Sequence, residues 1–333
     1  MKYPEYCVAI RTLGTAGEKY QTLLNSLRDQ SIPANKILVY IPYGFPAPKE
    51  TIGIEQIIRC EKGMVTQRSL SFEEIDTEYV LFCDDDLFLP KDFVERMFDG
   101  LKQNNGDCIS PEVYYSFNAP FAKKIAYFIH SFVSPRPDDG WAIKIKRNAS
   151  SSYNNHPKKN VLPTESASFA CLLCKMSVHK AIHFEDERWI ERFSFAAGDD
   201  TLYYYKMFIS NHRILKLFNS GLKHLDAQSG IRPNIKKKMY YHKMILFIMW
   251  YRIVYSTCHK RFHASSFKFQ VERYRCIGAF TWRCIFGVIT LPLEVIYYKQ
   301  PNFFIDYFRG LWAGWKYVHS EEYKAIPKFD AYK

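Results

Sequence analysis

Through the first 130 residues, short unbroken apolar runs alternate with stretches whose apolar positions recur at helical spacing. Tyr6-Cys7-Val8-Ala9-Ile10 reads as a strand, and Gly14-Thr15-Ala16-Gly17 turns the chain. Glu18 to Gln30 then carries Tyr20, Leu23, Leu24 and Leu27 at the spacing of one helix face. Lys36 to Pro42 and Ile57 to Cys60 read as two further strands, and Met64 to Ile75 as a helix. Tyr79-Val80-Leu81-Phe82-Cys83 is a fourth strand, which runs straight into Asp84-Asp85-Asp86 with a helix expected just beyond. Alternating strands and helices predict an α/β fold, a mostly parallel sheet with helices on both faces.

The pattern then changes twice. Residues 134–163 are rich in Ser, Asn, Lys and Pro and lack periodicity, which predicts a long mobile loop. Structure is expected to resume with a strand over Glu165–Leu173, a helix around Lys175–His183 and a strand over Ile214–Phe218. From about Ile231 the chain mixes Trp, Tyr, Phe and Ile with Lys and Arg, in Met239–Thr257, Cys276–Tyr298 and Phe303–Val318. Arg252, Arg283 and Glu294 interrupt these runs, so no segment offers the ~20 unbroken apolar residues of a spanning helix. Amphipathic helices lying in a membrane interface are expected instead, or a helical region that packs on the main domain or a partner. Two regions follow: a catalytic domain over 1–230 and a basic, aromatic helical region over 231–333.

Composition narrows the class. A chain of 333 residues with 47% hydrophobic and 17% aromatic residues has ample material for a core. Its net charge of +12 points to an anionic partner: nucleic acid, lipid head groups or phosphorylated metabolites. Nine scattered cysteines, mostly inside apolar runs, read as reduced core residues, and Cys171-Leu-Leu-Cys174 lacks the second pair of a zinc site. No apolar segment follows the basic start, so a cytoplasmic location is expected. Asn148-Ala149-Ser150 fits a glycosylation acceptor by chance alone.

The chemistry concentrates at a few places. Three carboxylates after a buried strand sit at the sheet edge where open α/β folds bind ligands. They repel one another unless a cation such as Mg²⁺ or Mn²⁺ lies among them. Gln67 and Arg68 follow Gly63 shortly before that strand, and an arginine fork suits phosphate oxygens. Asp199-Asp200 follow Gly198 and open a helix, as caps or as a general base. His224, after the Ile214–Phe218 strand, is an ordinary histidine or a metal ligand beside carboxylates. Arg11-Thr12 end the first strand, where a nucleotide would meet the sheet.

Together these residues bring a family into view. Tyr6 through Pro42, with Leu24-Asn25-Ser26-Leu27-Arg28-Asp29-Gln30, resembles the opening of family 2 glycosyltransferases, inverting enzymes of the GT-A fold. Thr66-Gln67-Arg68-Ser69 resembles that family's Ala-Arg-Asn segment, and Asp84-Asp85-Asp86 its Asp-x-Asp strand end. Gly198-Asp199-Asp200 is similar to its Glu-Asp pair, and Gly310-Leu311-Trp312-Ala313-Gly314 to an ending common in bacterial members. Two departures stand out. Tyr40-Ile41-Pro42-Tyr43-Gly44 replaces the acid that usually contacts the base, and Asp199 replaces a longer Glu.

The resemblance implies a GT-A domain of the bacterial polysaccharide-biosynthesis type, with a mixed sheet flanked by helices and an amphipathic C-terminal region. It implies an enzyme that moves a sugar from a nucleotide-diphosphate sugar to a hydroxyl of a lipid-linked or cell-surface glycan. Asp200 is then the base and Asp199 its helper; Asp86, with Asp84 and His224, holds the divalent metal. Arg11, Thr12, Lys62, Gln67, Arg68, Asp84 and Asp85 face the nucleotide and its diphosphate. The tail implies attachment to an anionic membrane surface, peripheral on the inner face of the cell membrane, or homo-oligomerisation. A metal-dependent nucleotidyl- or phosphotransferase and a basic nucleic-acid-binding protein are the rival classes. No zinc finger or RNA-recognition signature supports the latter, so nucleic acid is not an expected partner.

Overall fold

The computed structural model describes residues 3–113, 129, 140–154, 156–193, 198–226, 235–258 and 266–332. Its centre is an eight-stranded mixed sheet of order β3-β2-β1-β4-β10-β6-β11-β9. The strands are β1 (Tyr6–Arg11), β2 (Lys36–Pro42), β3 (Glu55–Cys60), β4 (Tyr79–Asp84), β6 (Cys108–Pro111), β9 (Val161–Pro163), β10 (Cys171–Lys175) and β11 (Ile214–Leu217). β1 to β4 run parallel, β10 is antiparallel to both β4 and β6, and β11 returns parallel to β6. This is a mixed, helix-flanked sheet, as the resemblance implied.

Successive side chains on a strand point to opposite faces, and both faces of this sheet are buried, so the strands read as unbroken apolar runs. Val8, Ile10, Leu81 and Cys83 pack beneath α1 (Glu18–Arg28) and α2 (Phe93–Gln103). Cys7, Ala9, Val80 and Phe82 face α3 (Met176–Ala181), α4 (Asp199–Ile209) and part of the tail. The same alternation sends Cys171 to one core and Cys174 to the other, so the Cys-x-x-Cys spacing gathers nothing. All nine cysteines are free, and eight are buried.

Four expectations change. Met64–Ile75 is not a helix: only Thr66–Arg68 make a single 3₁₀ turn. There the Ser69 hydroxyl donates to the Val65 carbonyl (2.9 Å), Thr66 bonds Glu191, and Phe72 takes a positive φ of 49° that ends any helix. The strand expected from Glu165 begins only at Cys171, because Thr164, Glu165 and Ser168 spend their side chains on nearby backbone groups. Residues 140–163 are also more ordered than a mobile loop: β7 (Ile143–Ile145) pairs with β8 (Ser151–Tyr153), and β9 joins the main sheet. Residues 134–139 and 155 lie outside the described residues. Asn148 is fully buried and accepts from Ser150, so that acceptor pattern is not an accessible one.

The fourth change concerns the tail. α5 (Lys238–Met249) runs into a π-helical turn over Trp250–Tyr255, followed by α6 (Ser266–Tyr298) and α7 (Phe303–Val318). α6 is one continuous 33-residue helix, and it is long and apolar enough by composition to cross a membrane, contrary to expectation. α7 packs tightly on α5 because Gly310 and Gly314 lack side chains: a Cβ on Gly314 would meet the Met244 carbonyl at 2.8 Å. Arg252, read as an interruption, is buried in an ion pair with Glu187 (2.6 and 2.7 Å), which Lys206 of α4 also approaches. Burial alone would raise the Glu187 pKa, but Arg252 outweighs it and holds the group lowered.

Candidate active site

The site forms where β1 and β4 end side by side, in register, so that Arg11 and Asp84 are direct neighbours. A cleft of about 240 Å³ opens there, lined by Arg11, Thr12, Leu13, Met64, Gln67, Arg68, the three acids and His224. The acids are not equivalent. Asp84 takes an ion pair from Arg11 (2.5 Å). Asp85 is buried and accepts from the Thr12 hydroxyl (2.5 Å). Burial pushes the Asp85 carboxyl up to about 6, with the Thr12 bond opposing and Asp86 and Asp84 adding to the rise.

Asp86 meets His224, Nε2 to Oδ1 3.4 Å. A two-stranded ladder makes this meeting: β5 (Leu87–Phe88) pairs antiparallel with β12 (Lys223–His224), and the Leu225 N–H donates to the Asp86 carbonyl (2.8 Å). So β5 follows the acids directly, and the helix expected just beyond them is α2, which starts at Phe93. Among the described residues, no group of three or more His, Cys, Asp and Glu side chains is poised to hold a metal. The pair Asp86–His224 suits a hard divalent cation in donor type, an anionic oxygen and an imidazole. The Asp84 carboxylate is turned to Arg11.

Arg68 links the cleft to the second acidic pair. Gly198, at φ 117°, opens α4, and Asp199 and Asp200 occupy its first turn. Both carboxylates form ion pairs with Arg68, that to Asp200 at 3.0 Å. Asp199 is buried against the guanidinium, while Asp200 keeps about a third of its side chain in solvent (35%). Burial lowers the Arg68 pKa, and the nearby Arg11 charge lowers it further. Both guanidiniums lie over the Phe169 ring, 4.7 and 4.6 Å from its centroid. The Nε atoms of Arg11 and Arg68 are buried and find no hydrogen-bond partner among the described residues.

Eight of the eleven sequence-selected residues therefore line one cleft, and Asp199 and Asp200 reach it through Arg68. Lys62 does not join them: its Nζ stands 4.6 Å from the Phe45 ring centroid. Two supporting residues escaped sequence reasoning. Glu191 clamps the turn that carries Arg68, accepting from the Thr66 N–H (2.7 Å) and hydroxyl (3.0 Å). Phe169 was one apolar position in a strand-like run, with nothing in the sequence to mark its two cationic neighbours.

Acids at the end of a central strand on a mixed, helix-flanked sheet are the arrangement that the resemblance to family 2 glycosyltransferases implies. Residues 52–178 match the family described as Glycosyl transferase family 2. The stretch includes Arg68 and the three acids, and ends before Asp199 and His224. No curated protein matches the chain. Among solved structures, S. aureus TarS 1-349 in complex with UDP-GlcNAc is 12% identical, covering 95% of this chain and 92% of that one, with a TM-score of 0.46. TarS 1-349 with UDP is 14% identical at a TM-score of 0.44, covering 95% and 91%.

Proposed function

We propose that the cleft binds the diphosphate of a nucleotide sugar and transfers the sugar, with inversion, to a hydroxyl of a glycan acceptor. The observation that carries this reading is Arg68, which joins the acid-lined strand end to Asp200. A volume of about 240 Å³ lies below the ~300–1,000 Å³ of whole-ligand pockets. It suits the charged end of a donor whose nucleoside extends along the open sheet edge.

The roles follow from position. Arg11 and Arg68 line the cleft and present guanidinium N–H groups to the phosphate oxygens. Asp86 and His224 are the side chains that would hold a divalent cation; such an ion supplies charge neutralisation of the departing diphosphate. Asp84 orients Arg11, and Asp85 with Thr12 fixes the turn behind them. Asp200, the more exposed of its pair, takes the proton of the acceptor hydroxyl. The hydroxyl oxygen bonds to the anomeric carbon as the sugar–phosphate bond breaks, and its electron pair leaves on the diphosphate. Asp199 keeps Arg68 in place. The basic tail fits an acceptor presented at a membrane, such as a lipid-linked glycan, with the protein peripheral on the inner face.

A thermal-shift screen of nucleotide sugars with and without Mn²⁺ tests this reading. A true donor at about 100 times its Kd adds about 2.7 kcal/mol of stability, and Mn²⁺ should enlarge the shift. No shift with any nucleotide sugar would contradict it.

A further inference from the structure

We propose that the outward faces of α6 and α7 form a docking surface for an anionic lipid bilayer, on which the protein lies without crossing it. The proposal deepens the membrane-presented acceptor reading above and rests on it. The faces themselves are the first observation. On α7, Phe303, Tyr307, Gly310 and Gly314 are buried inward, while Phe304, Ile305, Phe308, Trp312 and Trp315 are exposed on the other side. At 3.6 residues per turn these five share one face, with Arg309 and Lys316 at its rim. The Trp312 and Trp315 rings stack 4.8 Å apart, and the Lys316 ammonium lies 5.5 Å from the Trp312 centroid. Paired indoles beside cations are the composition of a membrane–water boundary.

On α6 the same division runs for several turns. Leu291 is buried in a cluster with Phe303 and Tyr307 of α7, with Val288 and Val295 packed against it. Ile285, Ile289, Leu293 and Ile296 point outward, Leu293 and Ile296 being 69% and 73% exposed. Only 22% of the most apolar 18-residue window of this helix is buried. A water-soluble surface rarely leaves so long an apolar stripe open.

Charge selects the occupant. Residues 1–230 contain 28 basic and 28 acidic side chains, whereas residues 231–333 contain 18 and 6. The whole +12 therefore belongs to the region that carries the apolar faces. A second copy of the chain would bring the same positive region to the contact and be repelled, whereas acidic lipid head groups are attracted. Crossing is disfavoured by what holds the inner side of α6. Glu272 pairs with Arg147 (3.0 Å), and Arg283 donates to the Asn148 carbonyl (2.7 Å), both on the catalytic domain. A spanning α6 would have to abandon these bonds.

The test is co-sedimentation of the full chain with vesicles of neutral phosphatidylcholine or of phosphatidylcholine with phosphatidylglycerol. Binding is expected only to the anionic vesicles, weakening as salt rises and extractable by alkaline carbonate. Arg309→Gln with Lys316→Gln should weaken it about 30-fold, at roughly fivefold per basic residue near an anionic surface. Phe308→Ser with Trp312→Ser should weaken it by at least as much, with circular dichroism and the donor-induced thermal shift unchanged. Wild-type affinity in both variants, equal binding to neutral vesicles, or carbonate-resistant pelleting would each overturn the proposal. So would a dimer in light scattering that Phe308→Ser with Trp312→Ser dissolves. Absence of a donor shift in the unaltered protein would instead sink the functional reading and leave the vesicle result to stand alone.

Discussion

The cleft at the end of β4 and the helices beyond residue 235 handle charge in opposite ways. In the cleft, cations meet acids at close range: Arg11 with Asp84, and Arg68 with Asp199 and Asp200. Those fixed pairs hold the polar groups in place, so that the proposed transfer would need little reorganisation at the moment of reaction. The tail makes such pairs too, among them Arg252–Glu187 and Arg147–Glu272, but leaves most of its positive charge unbalanced beside apolar faces. Paired charge organises a site, and unpaired charge next to exposed Ile and Trp makes a surface for something anionic.

Removing the buried Arg252–Glu187 pair should break the comparison most strongly. Arg252→Ala leaves Glu187 buried without its main partner and cuts the hydrogen bond to the Pro327 carbonyl (3.1 Å). A loss of about 3–5 kcal/mol in unfolding free energy is expected from denaturant titration. A loss under about 1 kcal/mol would mean that Lys206 and Trp189 satisfy Glu187 unaided.

A smaller effect separates the three acids. Asp85 has its carboxyl pushed from the ordinary 3.8 up to about 6, so the folded protein holds that proton more tightly than the unfolded chain. Its contribution is fully present below about pH 4 and is lost as pH rises toward 6. Across that window wild type should lose stability on the order of 2 kcal/mol relative to Asp85→Asn, whose side chain does not titrate. Parallel stability curves for the two proteins between pH 4 and pH 7 would show that Asp85 is not strained by its burial.

Most of the cleft was legible in the sequence because its residues sit at element ends, which punctuation marks. The acids stop an apolar run, and Asp199-Asp200 follow Gly198. The meeting of Asp86 with His224 depended on pairing two short strands 138 positions apart, a register that no local pattern encodes. Periodicity misled at Met64–Ile75, where apolar Val65, Phe72 and Ile75 reach the core from irregular backbone and only mimic helical spacing. Lys62 was chosen for its charge alone, and the turn after β3 directs it toward Phe45. In the tail, composition gave the character of the helices but not the length of α6. Nor did it reveal that Arg252 belongs to a buried pair.

The most direct test of the sugar-transfer account replaces Asp200 by Asn and measures both donor binding and transfer to a glycan acceptor. Nucleotide-sugar binding should be retained, because Arg11, Asp86 and His224 are untouched, while transfer falls on the order of 10²–10⁴-fold. Near-normal transfer by Asp200→Asn would contradict the account.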